Sequence, residues 1–462
     1  MRAAGAVSTT SPRVRALALA LALALALALA LALSRSLLLG TGAPPAPPLD
    51  PLGALGSSAV SLGAAGAGRA AGAAEISLER FEGRAMGTLY AFTLPRTEVG
   101  RFAARQAAGL ALAEVGRVER RVSSWIPTSE VGRLNRANGL PVPISAETYW
   151  LLWEAKRLTE LTSGSFDVTW AALKGLWDLN ARRVPPHDEL TRRLAFVGAR
   201  RLHLSCEPHL LDPLRLTPPP ARSPRGETLT ALLGALPPRA LWLGELGPRS
   251  PLWAELAAHT TEASGCTARL EPGAQVDLGG IAKGYAIGSV ARLLRRLGFE
   301  RFVVDGGGDL SVEGSALSGA PWTVGVQHPR ADGVWASLKL PSGWSLVTSG
   351  DYERFFEVDG ARYHHIIDLR TGYPAQGVAS LTLAARDPTI ADALATGLFV
   401  LGPVEGLALA ESLEGVEALW LTTGGGVAHT KGFERLSGPL PPRWLPAPPS
   451  PSAPPAGEAS RP

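Results

Sequence analysis

A glycine-rich stretch, VDLGGIAKGYAIG at residues 276–288, has the composition of a loop that holds an anion. Its two adjacent glycines let the backbone come close to a ligand. The apolar helix predicted after them begins with free N–H groups and a positive dipole end, and Lys283 adds a full positive charge. These features favour a phosphate, although the stretch matches neither GxxxxGK[ST] nor GxGxxG. A plain tight turn is the structural alternative.

A second pattern, ADALATG at residues 391–397, offers oxygen ligands for a metal ion. Asp392 and Thr396 are four residues apart on a predicted helix, so their side chains share one face. A carboxylate and a hydroxyl are hard ligands that suit Mg²⁺, which also takes phosphate oxygens of a substrate. The structural alternative is an aspartate near a helix N-terminus that interacts with the dipole.

A third stretch, RYHHIIDLRTGYP at residues 362–374, supplies a candidate general base. On a strand, His365 and Ile367 would share one face, and Ile366 and Asp368 would share the other. Histidine is the side chain that most readily exchanges protons near neutral pH. A structural histidine is the alternative, but the density of polar groups favours a site.

Other stretches add supporting side chains. In SGSFDVTWAALKGLW at residues 163–177, Asp167 precedes an apolar helix and can serve either a site or the helix N-cap. Turn chemistry alone explains TSGDYERFF at residues 348–356. Trp125 and Tyr352 could cover a flat ring. Taken together, the patterns predict a metal-assisted reaction at a phosphate of a nucleotide-like cofactor.

The elements that must position these residues predict an α+β fold. Helical spacing of apolar residues covers 100–122 and 144–162, and a further helix begins at Pro388. Strands are predicted on both sides of the turn in ISLERFEGRAMGTLYAFTL and again through the region from 301 to 386. Strands outnumber helices and occur both in runs and in alternation, which indicates the α+β class.

The first 35 residues predict export. Three arginines precede ALALALALALALALALAL at residues 16–33, a segment with no charge and no polar group. Eighteen apolar residues lie at the border between a signal peptide and a spanning helix, so a cleaved signal and an N-terminal membrane anchor both stay open. A soluble Ala/Leu helix is the structural alternative. No cysteine lies nearby, which excludes a lipoprotein anchor. We expect an exported protein on the periplasmic side, held at the inner membrane if the segment is retained.

Composition divides the rest of the chain. Residues 36–75 are rich in Ala, Gly and Pro and are predicted to be a flexible linker, and 438–462 are predicted to be a disordered proline-rich tail. The globular domain is predicted at 76–437. Within it, 207–262 has the composition of a low-complexity insertion, which we expect to be removable without loss of cofactor binding.

Two cysteines flank this insertion closely, and the chain has no others. In an exported protein, Cys206 and Cys266 can form a disulfide that closes the neck of the insertion. Two buried free thiols are the alternative. The formal net charge is only +4, with arginines and lysines scattered among acidic residues, so nucleic-acid binding is not expected.

In combination, these motifs resemble those of the ApbE family, the FAD:protein FMN transferases. Eight segments occur in the family's order between about residues 81 and 433. In chain order they are MGT, SSWIPTSEVGRLN, SGSFDVT, DLGGIAKGYA, GGGDL, TSGDYERFF, HHIIDLRTG and ADALATG. No single segment is decisive, but their shared order is highly specific.

The resemblance implies an α+β, T-fold-like flavin transferase domain with mixed or antiparallel sheets and packed helices. It also implies Mg²⁺ as cofactor, FAD as substrate and transfer of the FMN half of FAD to a Thr or Ser hydroxyl, with release of AMP. The acceptor would be a subunit of an electron-transfer complex. Some members of the family mainly hydrolyse FAD to FMN and AMP, so an FAD pyrophosphatase is the alternative. A non-catalytic FAD-binding protein is the third interpretation.

The resemblance also assigns roles to residues. Contacts with FAD fall to Met86, Trp125, Ser165, Phe166, Asp167, Asp277, Lys283 and Ile366. Metal ligation falls to Gly280, through its carbonyl, and to Asp392 and Thr396. Catalysis falls to Asp392 and to His365, as the group that assists deprotonation of the acceptor hydroxyl.

Some positions depart from the family pattern. Gly288 stands where many members have an acid, which puts one cofactor contact in doubt. Leu369 replaces the usual proline of HIIDPRTG, and Asp305 and Gly306 precede the paired glycines. None of these departures removes a predicted metal ligand.

Overall fold

The computed structural model describes residues 56–58, 77–96, 101–207 and 265–441. These residues belong to one compact unit, Pro51–Pro462. The predicted signal or anchor, nearly all of the linker and insertion, and most of the tail lie outside the described residues.

The described strands, in chain order, supply most of the framework of the domain. They are β1 (Gly56–Ser58), β2 (Ser77–Ala85), β3 (Thr88–Arg96), β4 (Val142–Ile144), β5 (Leu202–Cys206), β6 (Cys266–Leu270), β7 (Phe302–Gly306), β8 (Asp309–Glu313), β9 (Trp322–Gln327), β10 (Val334–Leu340), β11 (Ser345–Gly350), β12 (Phe355–Val358), β13 (Ala361–His364), β14 (Ile367–Asp368), β15 (Tyr373–Pro374), β16 (Val378–Ala385), β17 (Glu417–Thr422) and β18 (Val427–His429).

The described helices connect and cover these strands. They are α1 (Arg101–Val122), α2 (Glu130–Arg136), α3 (Ala146–Leu161), α4 (His187–Leu194), α5 (Ala282–Arg296), α6 (Pro388–Ser412) and α7 (Glu434–Ser437). Two 3-10 helices, η1 (Val168–Leu173) and η2 (Ala199–Arg201), lie between α3 and β5.

Within the described residues, nine strands form one antiparallel sheet in the order β1-β2-β3-β7-β8-β11-β16-β17-β18. All eight residues of β16 are buried, so both faces of the sheet are covered there. Leu381 and Leu383 belong to the core shared with α1, α5 and α6. Ala384 instead packs in a second core with residues of the β9–β10 hairpin, such as Trp322 and Leu338. The predicted α+β class is therefore confirmed.

Helix α6 is the longest element of the core. Asp387 caps its start by accepting hydrogen bonds from the backbone N–H groups of Thr389 and Ile390, at 2.8 and 3.4 Å. Gly402, with φ of 75°, and Pro403 interrupt the helix, as expected for residues that cannot continue it. Among the described residues, α6 is the one helix long and apolar enough to cross a membrane, with a mean hydropathy of 1.7. In this domain its apolar surface packs in the core.

A buried ionic network fixes α5 relative to two neighbouring helices. Arg117 of α1 donates to Glu147 of α3 at 2.7 Å, and the Tyr285 hydroxyl of α5 donates to the same carboxylate at 2.6 Å. Burial opposes the charged form of Glu147, but the hydrogen bonds and charge of Arg117 outweigh it and lower the pKa of that carboxyl to about 2. The carboxylate therefore stays ionised and keeps the three helices together.

The turn between β2 and β3 has an unusual residue. Met86 and Gly87 have φ values of 50° and 74°, which is the pattern of a two-residue type I′ hairpin turn. Glycine and asparagine favour such angles, whereas a methionine there is strained. The turn brings the Met86 sulfur within 3.3 Å of the Tyr90 hydroxyl. Backbone strain at a residue assigned to the site is consistent with a functional constraint.

A three-stranded sheet in the order β4-β6-β5 carries the two cysteines. Cys206 ends β5, Cys266 begins β6, and the two residues are direct cross-strand partners with Cα atoms 4.0 Å apart. Their sulfur atoms form a disulfide. The structure thus has the disulfide rather than two free thiols. The disulfide lies at the first residue of β6, whereas the glycine loop follows the last residue of that strand.

Candidate active site

The glycine loop is held against two other parts of the chain. Asp277 donates its backbone N–H to the carbonyl of Val168 at 2.8 Å, and its carboxylate accepts the N–H of Gly279 at 2.7 Å. A Cβ placed on Gly280 would lie 3.4 Å from both the Thr396 hydroxyl and the Phe166 ring. The loop therefore brings the Gly280 backbone close to Thr396, which the sequence assigned to the same site.

Asp392 is buried where α5 begins against α6. Its carboxylate accepts the N–H of Gly284 at 2.9 Å, and the residue is only 4% exposed. A Cβ on Gly284 would lie 2.0 Å from the carbonyl oxygen of Pro388, so only glycine permits this approach of the two helices. Gly284 of the KGYA motif is thus required for the packing of α5 against α6, and this packing brings Lys283 near Asp392.

Lys283 forms an ion pair that the sequence analysis did not assign. Its ammonium lies 2.5 Å from a carboxylate oxygen of Asp309, whose side chain is 2% exposed. The other Asp309 oxygen accepts the backbone N–H of Thr348 in β11 at 3.1 Å. A third of the Lys283 side-chain surface is exposed, but its ammonium rests against this buried acid.

Lys283, Asp309 and Asp392 together form what we call the charge centre. Burial opposes the charge on Lys283, yet the two carboxylates outweigh that cost and raise the pKa of the ammonium. Burial is also the main cause that raises the pKa of Asp392 to about 7, with a further contribution from the charge of Asp309. One ammonium against two carboxylates leaves one excess negative charge, which a proton or a cation can neutralise.

Tyr90 borders the charge centre. The residue is fully buried, and burial is the main cause that raises the pKa of its hydroxyl, with Asp392 and Asp309 adding to the shift. The hydroxyl therefore stays protonated and donates to the Met86 sulfur. This contact links the strained β2–β3 turn to the charge centre.

The donor set around Asp392 fits a small hard cation. It comprises a buried carboxylate, the Thr396 hydroxyl and the nearby Gly280 backbone. The Thr396 hydroxyl donates only a long hydrogen bond, 3.4 Å, to the Asp392 carbonyl, so it is available to a ligand. The described residues contain no group of three or more His, Cys, Asp or Glu side chains placed to hold a metal ion. A metal here would therefore depend on hydroxyl and carbonyl oxygens as well as one carboxylate.

A second group of side chains, which we call the rim cluster, consists of Ser124, Trp125, Lys174 and Asp277. The Lys174 ammonium pairs with the Asp277 carboxylate and donates to the Ser124 hydroxyl at 2.7 Å. The same ammonium lies 4.3 Å from the centroid of the Trp125 ring. Ser124 also donates to Asp277. Trp125 itself is 81% exposed.

The SFD segment lies beside the glycine loop. Ser165 and Phe166 are buried, and Phe166 packs near Gly280. Asp167 caps η1: its carboxylate accepts hydrogen bonds from the Thr169 N–H and the Ala199 N–H, both at 2.8 Å. Burial raises the pKa of Asp167 despite these bonds. The helix-capping interpretation of Asp167 is therefore observed, and its contact with a cofactor stays a prediction.

The two histidines differ in environment. His364 is buried, and its Nε2 lies 2.8 Å from the Ala375 carbonyl, so this nitrogen is the donor. His365 is exposed, and partial desolvation is the main cause that lowers its pKa to about 4, with His364, Arg354 and Lys283 adding to the shift. Its imidazole is therefore neutral at pH 7, with one nitrogen lone pair free of a proton, and it is a weaker base than an ordinary histidine. Ile366, between His365 and β14, is buried.

Sequence reasoning missed Asp309, Lys174, Ser124 and Tyr90. Asp309 stands in GGGDL and Ser124 in SSWIP, so both lie inside segments that carried the family resemblance. An acid after three glycines was a usable signal for Asp309. Lys174 gave no such signal, because its partner Asp277 is 103 residues away along the chain.

Comparison with known proteins identifies a family that this chain matches. The ApbE family model matches residues 86–420. The chain is 31% identical over 279 residues to an "FAD:protein FMN transferase" of Vibrio cholerae, covering 59% of this chain and 66% of the relative. It is 29% identical to the protein of that name in Haemophilus influenzae, covering 59% and 65%. The match thus spans just under two thirds of the length of these relatives.

Solved structures agree on the fold. The apbe protein of Thermotoga maritima superposes with a TM-score of 0.61 at 28% identity, covering 78% of this chain and 99% of that one. The flavinyl transferase ApbE of Pseudomonas stutzeri gives 0.59 at 26% identity, covering 79% and 98%. The expected family fold is confirmed.

Proposed function

Because this chain belongs to the ApbE family, we propose that it is a Mg²⁺-dependent FAD:protein FMN transferase. The acceptor hydroxyl, on a Thr or Ser of a partner protein, would bond to the FMN phosphorus of FAD. The bond from that phosphorus to the AMP oxygen breaks, and AMP leaves. The proton of the hydroxyl passes to a base.

The charge centre is the observation that carries this proposal. Lys283 offsets only one of the two buried carboxylates. Burial, with a further contribution from the charge of Asp309, raises the pKa of Asp392. Bound Mg²⁺ would supply the missing positive charge and offset charge on the pyrophosphate. Its ligands would be Asp392, Thr396 and the Gly280 carbonyl, whose oxygen types suit that ion.

The chain's own residues would do the rest by positioning. Lys283 would hold a phosphate oxygen while keeping its ion pair with Asp309. The neutral imidazole of His365 would take the proton from the acceptor hydroxyl. Met86, Trp125, Ser165, Phe166, Asp277 and Ile366 would surround the nucleotide.

The proposal includes an exported setting. The charged and apolar N-terminal segment supports transfer to the periplasmic side, with the acceptor an exported subunit of an electron-transfer complex. N-terminal sequencing of protein purified from membrane and soluble fractions tests this part. An intact Met1 in the cytoplasmic fraction alone would contradict it.

The reaction is tested with the purified full-length chain, FAD, Mg²⁺ and a flavin-acceptor subunit. AMP release and covalent flavin fluorescence on the acceptor are followed for wild type, Asp392→Ala and, as a matched control, Asp188→Ala. Asp188 is an exposed acid paired with Arg192 on the surface of α4. Labelled acceptor with wild type and the control, but not with Asp392→Ala, supports the proposal.

Other outcomes point to the alternatives. Release of AMP and FMN without labelled acceptor, across several acceptor subunits, would favour a pyrophosphatase. Bound FAD without any AMP would favour a binding protein. Equal labelling by wild type and Asp392→Ala would contradict the role of the charge centre.

A further inference from the structure

Lys174 links three separate segments at the rim of the site. It directly follows η1, where its backbone N–H donates to the Ala171 carbonyl at 3.0 Å. Its ammonium reaches Asp277 in the glycine loop and Ser124 in the segment after α1. The ammonium also lies over the Trp125 ring. One side chain thus contacts two residues assigned to FAD.

The Trp125 ring lies at the surface, beside the Lys174 ammonium. Its backbone is anchored, because the Trp125 N–H donates to the Ser123 hydroxyl at 3.3 Å and Ser129 donates to the Ser123 carbonyl at 2.6 Å. The side chain, however, is mostly exposed. A cation over the face of an indole is attracted by the ring quadrupole. The ammonium therefore lies against the ring, while 81% of the residue stays exposed to solvent.

Asp277 depends on the same ammonium. One carboxylate oxygen accepts the Gly279 N–H, and the other receives Lys174 and Ser124. The Asp277 side chain is 8% exposed and that of Lys174 is 20% exposed, so the pair is largely removed from water. Loss of the ammonium would leave a buried carboxylate without its charge partner.

We propose that Lys174 is a positioning residue for FAD, acting through Trp125 and Asp277. It fixes the indole as a stacking surface for a flat ring of the dinucleotide and holds the Asp277 carboxylate in its binding geometry. This inference rests on the proposed function. Because Lys174 does not reach the charge centre, its loss lowers affinity for FAD and leaves the chemical step intact.

The test measures FAD affinity by calorimetry and AMP release kinetics with the full-length chain. Lys174→Met keeps the side-chain stem and removes the charge, Lys174→Arg restores the charge, and Lys431→Met is the matched control. Lys431 is 83% exposed, after β18. We expect Lys174→Met to weaken FAD binding about tenfold with kcat within about threefold of wild type. Lys174→Arg should recover most of the affinity.

A double-mutant cycle separates positioning from a general effect on stability. Trp125→Ala and Lys174→Met should each weaken binding, and their combination should weaken it by less than the product of the two, since both disturb one arrangement. Lys174→Met should melt below wild type, because Asp277 loses its charge partner, and Lys174→Arg should restore the melting temperature. Trp125→Ala should melt close to wild type.

Three results would overturn the inference. The first is unchanged FAD affinity in Lys174→Met. The second is a parallel fall of FAD affinity, kcat and melting temperature that Lys174→Arg does not restore. The third is a double variant whose loss of affinity equals the product of the losses in Trp125→Ala and Lys174→Met. Absence of FAD binding by wild type would instead overturn the proposed function and this inference together.

Discussion

The charge centre and the rim cluster use the same kinds of group with opposite electrostatic outcomes. Each contains a lysine paired with an aspartate. In the charge centre a second buried carboxylate, Asp392, leaves one negative charge in excess, and its pKa rises to about 7. In the rim cluster one lysine meets one aspartate, and a hydroxyl and an indole complete the group. The first arrangement is balanced only by a proton or a further cation, whereas the second is already balanced.

This difference predicts separate roles for the charge centre and the rim cluster. An excess buried negative charge is suited to binding a metal ion, through which a phosphate can in turn be held, and hence to the chemical step. A balanced cluster with an exposed aromatic ring is suited to holding a flat ligand. Substitutions in the charge centre should therefore lower kcat, and those in the rim cluster should raise the dissociation constant of FAD.

The largest effect is expected from Asp392→Asn. Loss of the anionic ligand should lower kcat/KM about 10³-fold or more. Labelling of the acceptor measures this loss, with the exposed Asp332→Asn as control. Retention of kcat would remove the distinction between the two groups.

The same variant should change stability in a pH-dependent way. The folded pKa of Asp392 lies above the ordinary value of 3.8, so its ionisation destabilises the fold as pH rises toward 7, and the penalty is complete above that pH. Metal-free Asp392→Asn should therefore melt at a higher temperature than wild type at pH 8. The difference should shrink toward pH 4, and an equal gain at both pH values would contradict the assignment.

Asp309→Asn should have the next largest effect, a loss of about 10- to 100-fold in kcat/KM, since Lys283 loses its charged partner. Because the charge of Asp309 raises the pKa of Asp392, the acidic limb of the pH–rate profile should move to lower pH. AMP release measured from pH 5 to 9 tests this. An unmoved limb would mean that the two carboxylates are not coupled.

Trp125→Ala should weaken FAD binding about tenfold while kcat changes little, because the ring offers stacking area and takes no part in proton or metal chemistry. Trp125→Phe should retain part of the affinity. Calorimetry with FAD measures both. A fall in kcat with unchanged affinity would place Trp125 with the charge centre.

Ser124→Ala should have a smaller effect, about a threefold loss of FAD affinity. Asp277 would lose one hydrogen bond and keep those from Lys174 and Gly279. The same titration measures it. A loss as large as that of Trp125→Ala would show that the hydroxyl contacts the ligand itself.

The smallest effect, close to none, is expected from deleting residues 210–260. Strand β6 runs from Cys266 to Leu270. The insertion joins the strand at Cys266, whereas the glycine loop follows its other end. FAD affinity should equal that of the full chain. Loss of binding would mean that the insertion contributes to the rim cluster.

Patterns within short stretches of sequence predicted the helices and the side chains that share a helix face. The 3.6-residue period placed α1 and α3 within about two residues of their observed ends, and the start of α6 falls at Pro388 as predicted. The four-residue spacing of Asp392 and Thr396 put both on one face of that helix. Within the 276–288 stretch, Gly284 of α5 permits the close backbone approach that the glycines predicted, with the carbonyl of Pro388.

Contacts between distant segments could not be predicted in this way. Lys174 and Asp277 meet over 103 residues and Ser124 and Asp277 over 153, through packing that no sequence period encodes. The charge imbalance also depends on three-dimensional proximity, since Asp309 and Asp392 lie on a strand and a helix far apart in the chain. Asp167 shows the reverse case, where the local signal of a helix cap was sufficient.

The disulfide at the end of β5 and β6 also makes that position modular. In the chain-entropy description, a cross-link across a separation of 60 residues stabilises the fold by about 4 kcal/mol. The described strands on either side of the intervening segment are joined at cross-strand partners whose Cα atoms lie 4.0 Å apart. A short turn, a reporter protein or a targeting module would satisfy the same boundary. This position is thus suited to the insertion of other segments, because the chain length can change there without altering the register between β5 and β6.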